Sequence, residues 1–282
     1  MAIMKIAEEL LFTTLRIVTT NGQSKGVGTG FIFDYKLKNK NFPFLVTNRH
    51  VVEGMEDGTI TFTKRKNNKP DIGNGFDVIL DNFRNFWYFH PDDEVDVAVT
   101  PFMPMVTQCR EQGGDPFYLS IPNTIIPNED ELNQLDAIED IIFIGYPKGL
   151  RDEKNLIPLI RKGITATPFN FDYEGKKQFL IDASVFPGSS GSPVFLYNAG
   201  AIRKGNDIEF VKRLSFLGIV SAGWLEKKEN PIKMFSFRKK KNLVSSYEQM
   251  IDIGIVFKAE TINETIELLL EKRENILGFD KM

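Results

Sequence analysis

A chain of 282 residues, 42% hydrophobic and 26% charged with a net charge of −3, has the balance of a globular protein of one large or two small domains. One cysteine (Cys109) allows no internal disulfide, and two histidines (His50 and His90) with one thiol make no zinc-finger ligand set. The near-neutral charge gives no support to a dedicated nucleic-acid binder, and no apolar run approaches the ~18 residues of a membrane span.

The N-terminus places Glu8 and Glu9 just before its most apolar stretch and offers no small-residue cleavage site. No secretory leader is expected, and with the missing disulfides a reducing cytoplasm is the expected location. A short helix is predicted around Ile6–Leu11. Strands are then predicted at Thr14–Thr19, Val27–Tyr35, Phe42–Thr47, Thr59–Thr63, Val78–Leu80, Phe86–Phe89 and Val95–Thr100, where β-branched and aromatic residues are bounded by polar or glycine-containing loops. From Pro101 to about Ala137 five prolines and the Gly113–Gly114 pair interrupt both ladders and helices, which reads in part as linker. A second strand series follows at Ile141–Gly145, Ile157–Thr165, Gln178–Ala183, Pro193–Leu196, Ile208–Val211, Leu214–Ala222 and Ile251–Phe257. The chain closes on a helix, with Thr261 and Glu264 as a capping box and an apolar stripe of Ile262, Ile266, Leu269 and Leu270, expected to pack on the second strand series. The organisation expected is all-β: an N-terminal unit at 1–105, a linker at 106–137, a C-terminal unit at 138–259, and a helix with tail at 260–282.

Three segments carry chemistry. Pro187-Gly188-Ser189-Ser190-Gly191-Ser192-Pro193 is small enough to expose the Ser190 oxygen on a tight turn and leave backbone N–H groups free for an oxyanion. In Phe44–Val52 an apolar strand ends and His50 follows within a short turn, a mount suited to a base. In Glu94–Val99 an acid, Asp96, lies inside an alternating strand whose burial demands a partner. Their order is His50, Asp96, Ser190, with separations of 46 and 94 residues. The known His–Asp–Ser triad order has separations of roughly 45 and 93, whereas other triad-bearing folds use different orders.

With these motifs the chain resembles a trypsin-like serine peptidase of the chymotrypsin double-barrel fold, in the style of bacterial members without disulfides such as the high-temperature-requirement proteases. Gly26–Phe31 is similar to the family's glycine-rich opening strand, Thr47–Val52 to its histidine motif, and Asp96–Val99 to its aspartate motif. Ile181–Pro193 is similar to the serine motif, and Leu217–Gly223 to the strand that pairs with substrate. The resemblance implies two six-stranded antiparallel β-barrels with a C-terminal α-helix. It implies Ser190 as nucleophile, His50 as base, Asp96 as its orienting partner, and the Gly188 and Ser190 N–H groups as oxyanion hole. It further implies Ser221, Ala222 and Gly223 as the substrate-binding edge and Ser184 as the floor of the primary specificity pocket. No cofactor or metal is implied, and the partners expected are a protein or peptide substrate and a regulatory protein, with no nucleic acid or membrane.

Ser189 stands where trypsin's digestive relatives carry an aspartate that pairs with a new N-terminus. Gating by loop ordering or a partner is therefore expected rather than zymogen cleavage, in a setting such as a stress or antiviral defence system. A neutral Ser184 floor gives no counter-ion for a basic P1 side chain, with acidic groups reaching the pocket from elsewhere, such as Glu226, left open. The alternative, from a different class, is a catalytically weak scaffold that binds extended peptides in the cleft. His90 is the rival base, read as structural. Asp92, Asp93 and Glu94 lack calcium-loop spacing, Gly26–Gly30 lacks a dinucleotide loop's last glycine and helix, and Cys109 reads as an idle thiol. Arg238–Lys241 reads as a basic surface loop, and Lys64–Phe76, Pro101–Ala137 and Met234–Tyr247 as long, functional loops.

Overall fold

Alternation of buried and half-buried residues begins at the first strand, where Leu15 and Ile17 turn inward, and it recurs through two sheets. The computed structural model describes residues 5–37, 40–80, 83–204, 207–232 and 243–277; of these, 199–204, 207–212, 224–232, 243–250 and 273–277 are described by backbone only. The first half holds α1 (Ile6–Glu9), β1 (Thr14–Thr20), β2 (Lys25–Leu37), β3 (Lys40–Thr47), α2 (Arg49–Val52), β4 (Asp57–Lys66), β5 (Lys69–Leu80), β6 (Tyr88–Phe89) and β7 (Ala98–Pro101). Next come α3 (Met103–Glu111), β8 (Pro116–Phe117), β9 (Ile121–Pro122) and α4 (Glu129–Leu132). The second half holds β10 (Asp140–Gly145), β11 (Leu159–Thr165), β12 (Gln178–Asp182), β13 (Pro193–Lys204), β14 (Asp207–Ile232), β15 (Leu243–Lys258) and α5 (Glu260–Leu277).

The second half closes as a six-stranded barrel in the order β10-β11-β12-β15-β14-β13. The first half departs from the expected six-stranded barrel. It is a nine-stranded sheet along the path β5-β4-β1-β2-β3-β7-β6, with β8 paired to β4 and β9 to β2. The reason lies in the shortness of β1, which is preceded by helical turns. β1 pairs with β2 only as far as Phe31 and with β4 only as far as Thr61. β9 then takes the vacated edge at Phe33 and Asp34, and β8 the edge at Thr63 and Lys64.

Those two strands come from the segment read as linker, so its first part belongs to the first sheet. Pro104 sits in the first turn of α3, where a missing N–H costs nothing, and Met105, Val106 and Cys109 are buried in the first-half core. Lys64–Phe76, read as a long loop, is instead a β4–β5 hairpin turning at Asn67 and Asn68, both at positive φ (50° and 61°). The basic run Arg238–Lys241 and most of the loop around it lie outside the described residues.

The two halves share one apolar cluster. Phe31 and Phe33 of β2 meet Phe216 of β14 with ring centroids 5.4 and 5.8 Å apart, and Phe195 of β13 joins at 5.6 Å. α5 docks into this cluster rather than onto the second barrel alone: Ile262, Ile266 and Leu269 are buried with Val95, Val97 and Val99 of the first half. Its expected capping box is also not formed. The helix starts at Glu260, Thr261 donates its hydroxyl back to the Lys258 carbonyl, and Glu264 pairs with Lys177 and His90. No helix among the described residues is long and apolar enough to cross a membrane.

Candidate active site

The β3 strand ends at Thr47, Asn48 continues extended (φ −80°, ψ 148°), and the single turn α2 presents His50 while Val51 and Val52 anchor it in the core. Asp96 lies just before β7 rather than inside a strand, a correction to the sequence expectation. Val95 and Val97 on either side are buried in the shared cluster, and that alternation turns the Asp96 carboxylate the other way, toward α2. The Asn48 side-chain amide donates to the Asp96 carbonyl at 2.7 Å and ties the two segments together.

The Asp96 carboxylate accepts three hydrogen bonds. The His50 backbone N–H reaches Oδ1 at 3.0 Å, the His50 ring Nδ1 reaches Oδ2 at 2.6 Å, and the Ser221 hydroxyl reaches Oδ2 at 2.6 Å. Burial pushes the Asp96 carboxyl up, but the His50 ring contact and charge, the Ser221 hydroxyl and the His50 N–H outweigh it and hold the group below its ordinary range. An ionised Asp96 fixes the proton of a neutral imidazole on Nδ1, which leaves the Nε2 lone pair bare. The His50 side chain is 51% exposed and that of Asp96 20%, so the pair has a wet end and a dry end.

Ser190 sits on a compact turn held by Ser189 N–H to Phe186 O (2.9 Å), Gly191 N–H to Val220 O (2.8 Å) and Ser192 N–H to Ser189 O (3.0 Å). Gly188 has φ +90°, and a Cβ there would lie 2.5 Å from the Tyr146 carbonyl, so only glycine fits. The Pro187 carbonyl accepts the Lys148 N–H at 2.5 Å, and in a trans peptide the Gly188 N–H then points away from Lys148. Neither the Gly188 nor the Ser190 N–H is hydrogen-bonded among the described residues, as donors kept for a ligand would be.

The structure thus brings His50, Asp96, Ser190, Ser221 and Gly188 to one place. It does not close the expected chain of hydrogen bonds: the Ser190 hydroxyl donates to the Ser221 carbonyl at 2.8 Å instead of to His50. Ala222 and Gly223 follow on β14. A Cβ on Gly223 would lie 2.6 Å from the Val185 carbonyl, so in this state these two backbone segments touch. Ser184 is half-buried between Ala183 and Val185, both in the second-barrel core. The Glu226 side chain lies outside the described residues. His90 is engaged elsewhere: its Nδ1 accepts the Asp92 N–H at 3.1 Å and its Nε2 lies 3.5 Å from Glu264.

Thr29 is the residue that sequence reasoning missed. Lying on β2 in the first half, its hydroxyl donates to the Gly188 carbonyl (2.9 Å) and accepts the Tyr146 N–H (3.1 Å), while its own N–H donates to the Ser190 carbonyl (2.8 Å). The available signal was a lone hydroxyl between two glycines, Gly28-Thr29-Gly30. No cluster of His, Cys, Asp or Glu able to hold a metal occurs among the described residues.

A family model described as trypsin-like peptidase domain matches residues 28–202, a span that includes all three candidate catalytic residues. A "Serine protease HtrA-like" protein of Staphylococcus aureus (strain USA300) is 28% identical over 174 residues, which cover 60% of this chain and 18% of that protein. The chain therefore spans under a fifth of the length of the curated relatives it matches. Among solved structures, a serine endoprotease from Yersinia pestis aligns with TM-score 0.49 at 16% identity, over 96% of this chain and 68% of that one. The HtrA-type protease AlgW with tripeptide aligns with TM-score 0.48 at 15% identity, over 94% and 62%.

Proposed function

The chain belongs to the trypsin-like peptidase domain family, and we propose that it is a serine endopeptidase whose nucleophile is Ser190, whose base is His50 and whose orienting acid is Asp96. The observation that carries the reading is the doubly anchored His50: Asp96 holds both its backbone N–H and its Nδ1, which leaves the unprotonated Nε2 as the free end of the ring. In the reaction Nε2 takes the Ser190 proton as Oγ attacks the scissile carbonyl, and later gives it to the leaving amine; water then hydrolyses the acyl-enzyme by the same route. The Gly188 and Ser190 N–H groups meet the oxyanion, where one donor is typically worth ~10²–10³ in rate.

The Ser190–Ser221 hydrogen bond supports a gated enzyme. The Ser221 carbonyl is an acceptor that an added substrate strand would use. A peptide N–H that takes this acceptor releases the Ser190 hydroxyl, which then turns to His50. The bond given up is worth only about 0.5–1.5 kcal/mol net, so ordinary substrate binding is enough to displace it. Ser184 and the Ala222–Gly223 edge would shape the primary pocket. The single thiol, Cys109, is buried and unpaired, which supports action in a reducing compartment such as the cytoplasm. The deciding experiment is labelling with a fluorophosphonate probe. Labelling of the wild type that disappears in Ser190→Ala is expected; a wild type that stays unlabelled would make the protein a peptide-binding scaffold.

A further inference from the structure

The segment that carries the oxyanion hole begins with Phe186, and two cations lie over its ring. The Lys148 ammonium is 5.1 Å from the ring centroid and the Arg161 guanidinium carbon 5.5 Å. Arg161 is the cross-strand partner of Phe143, whose side chain lies in the second-barrel core, so it shares the inward face of β11 and is half-buried. Across the turn at Lys148 and Gly149 stands Arg16, whose Nη2 is 3.2 Å from where a Gly149 Cβ would be, and whose Nε is buried without a partner.

None of the three side chains has a carboxylate partner among the described residues. The cations flanking them do: Arg151 pairs with Glu153 at 3.0 Å and Lys162 with Asp140 at 3.1 Å. Like charges gathered around one turn repel, and a half-buried guanidinium without an anion loses hydration it does not recover. A carboxylate between Lys148 and Arg161 relieves both costs, and the guanidinium fork suits its two oxygens.

We propose that Lys148 and Arg161, assisted by Arg16, form a subsite for an acidic side chain of the peptide substrate, beside the oxyanion hole. This rests on the peptidase reading for its substrate but not for its chemistry. The same charges repel basic side chains there, and they act independently of the neutral Ser184.

The test uses intact Ser190→Ala protein and fluorescent alanine-rich peptides with acetylated and amidated ends, each carrying one Glu at successive positions, with a Gln twin for each. At one position the Glu peptide is expected to bind roughly fivefold more tightly than its twin. That advantage should shrink in high salt, vanish in Lys148→Met and in Arg161→Met, and survive in Arg161→Lys, which also guards against a folding defect. Equal affinities at every position, or an advantage that persists in both methionine variants, overturns the subsite. An equal gain from a free peptide C-terminus in place of Glu overturns the side-chain assignment. Fluorophosphonate labelling of the wild type separates the two readings: labelled Ser190 with no Glu advantage sinks the subsite alone, whereas a Glu advantage without labelling sinks the peptidase reading alone.

Discussion

Asp96 shows how one side chain links stability to site geometry. Its carboxyl is held below the ordinary carboxylate range although burial works the other way. The folded state therefore binds its proton less readily than the unfolded chain, where the group titrates near ~3.9. Its contribution is fully present above that unfolded value and is lost as pH falls through the lower folded value. Thermal unfolding of wild type and Asp96→Asn between about pH 2 and 6 should show the wild type ahead near neutrality and the gap narrowing at the acid end. A gap independent of pH would contradict this assignment. At this scale the sequence was most legible where chain order and spacing survive folding, as they do for His50, Asp96 and Ser190. It was least legible for Thr29, which in a strand reads only as a β-former and whose hydroxyl partner, the Gly188 carbonyl, is 159 residues away.

Among the elements, α5 has a role that its amphipathic stripe could not reveal. The stripe identifies the buried face but not the surface it meets. Sequence proximity suggested the second barrel, whereas the fold places Ile262, Ile266 and Leu269 in one apolar cluster with Val95 and Val97, the residues that flank Asp96. The segment read as linker was misjudged for a related reason: prolines mark where pairing is interrupted, and here Pro116 and Pro122 sit in strands of two residues and Pro104 in a helix's first turn, where no interior hydrogen bond is lost. Because α5 shares its cluster with the residues on either side of Asp96, Ile266→Ala should do more than destabilise. Deletion of a fully buried isoleucine costs about 2–5 kcal/mol, and fluorophosphonate labelling of Ser190 should slow at temperatures well below unfolding. Leu196→Ala, in the second-barrel core away from Asp96, is the control, with a comparable loss of stability and near-normal labelling. Equal labelling by the two variants would show that α5 only stabilises the fold.

Over the whole molecule, the site exists only where the halves meet. His50 and Asp96 come from the first half, Ser190 and Ser221 from the second, and no disulfide joins them, since the single cysteine is buried and free. Apolar packing around Phe216 holds the halves together, but packing is non-directional and does not set the Gly188 peptide to a fraction of an ångström. That setting falls to Thr29, whose hydroxyl bridges the Gly188 carbonyl and the Tyr146 N–H, with the Ser192 hydroxyl a further 3.4 Å neighbour. Thr29→Val keeps the side-chain shape and leaves the Gly188 carbonyl and the Tyr146 N–H without this partner, at a cost of about 1–3 kcal/mol for each buried group left unsatisfied. Through misalignment of Gly188, the proposed oxyanion donor, kcat should fall roughly 10–100-fold with KM little changed, because among the described residues Thr29 makes no hydrogen bond to the Ser221–Gly223 edge that would bind substrate. Thr29→Ser restores the hydroxyl and should recover most of kcat. A Thr29→Val protein that melts earlier yet turns over normally, or a serine variant as impaired as the valine one, would mean that the halves are aligned by packing alone.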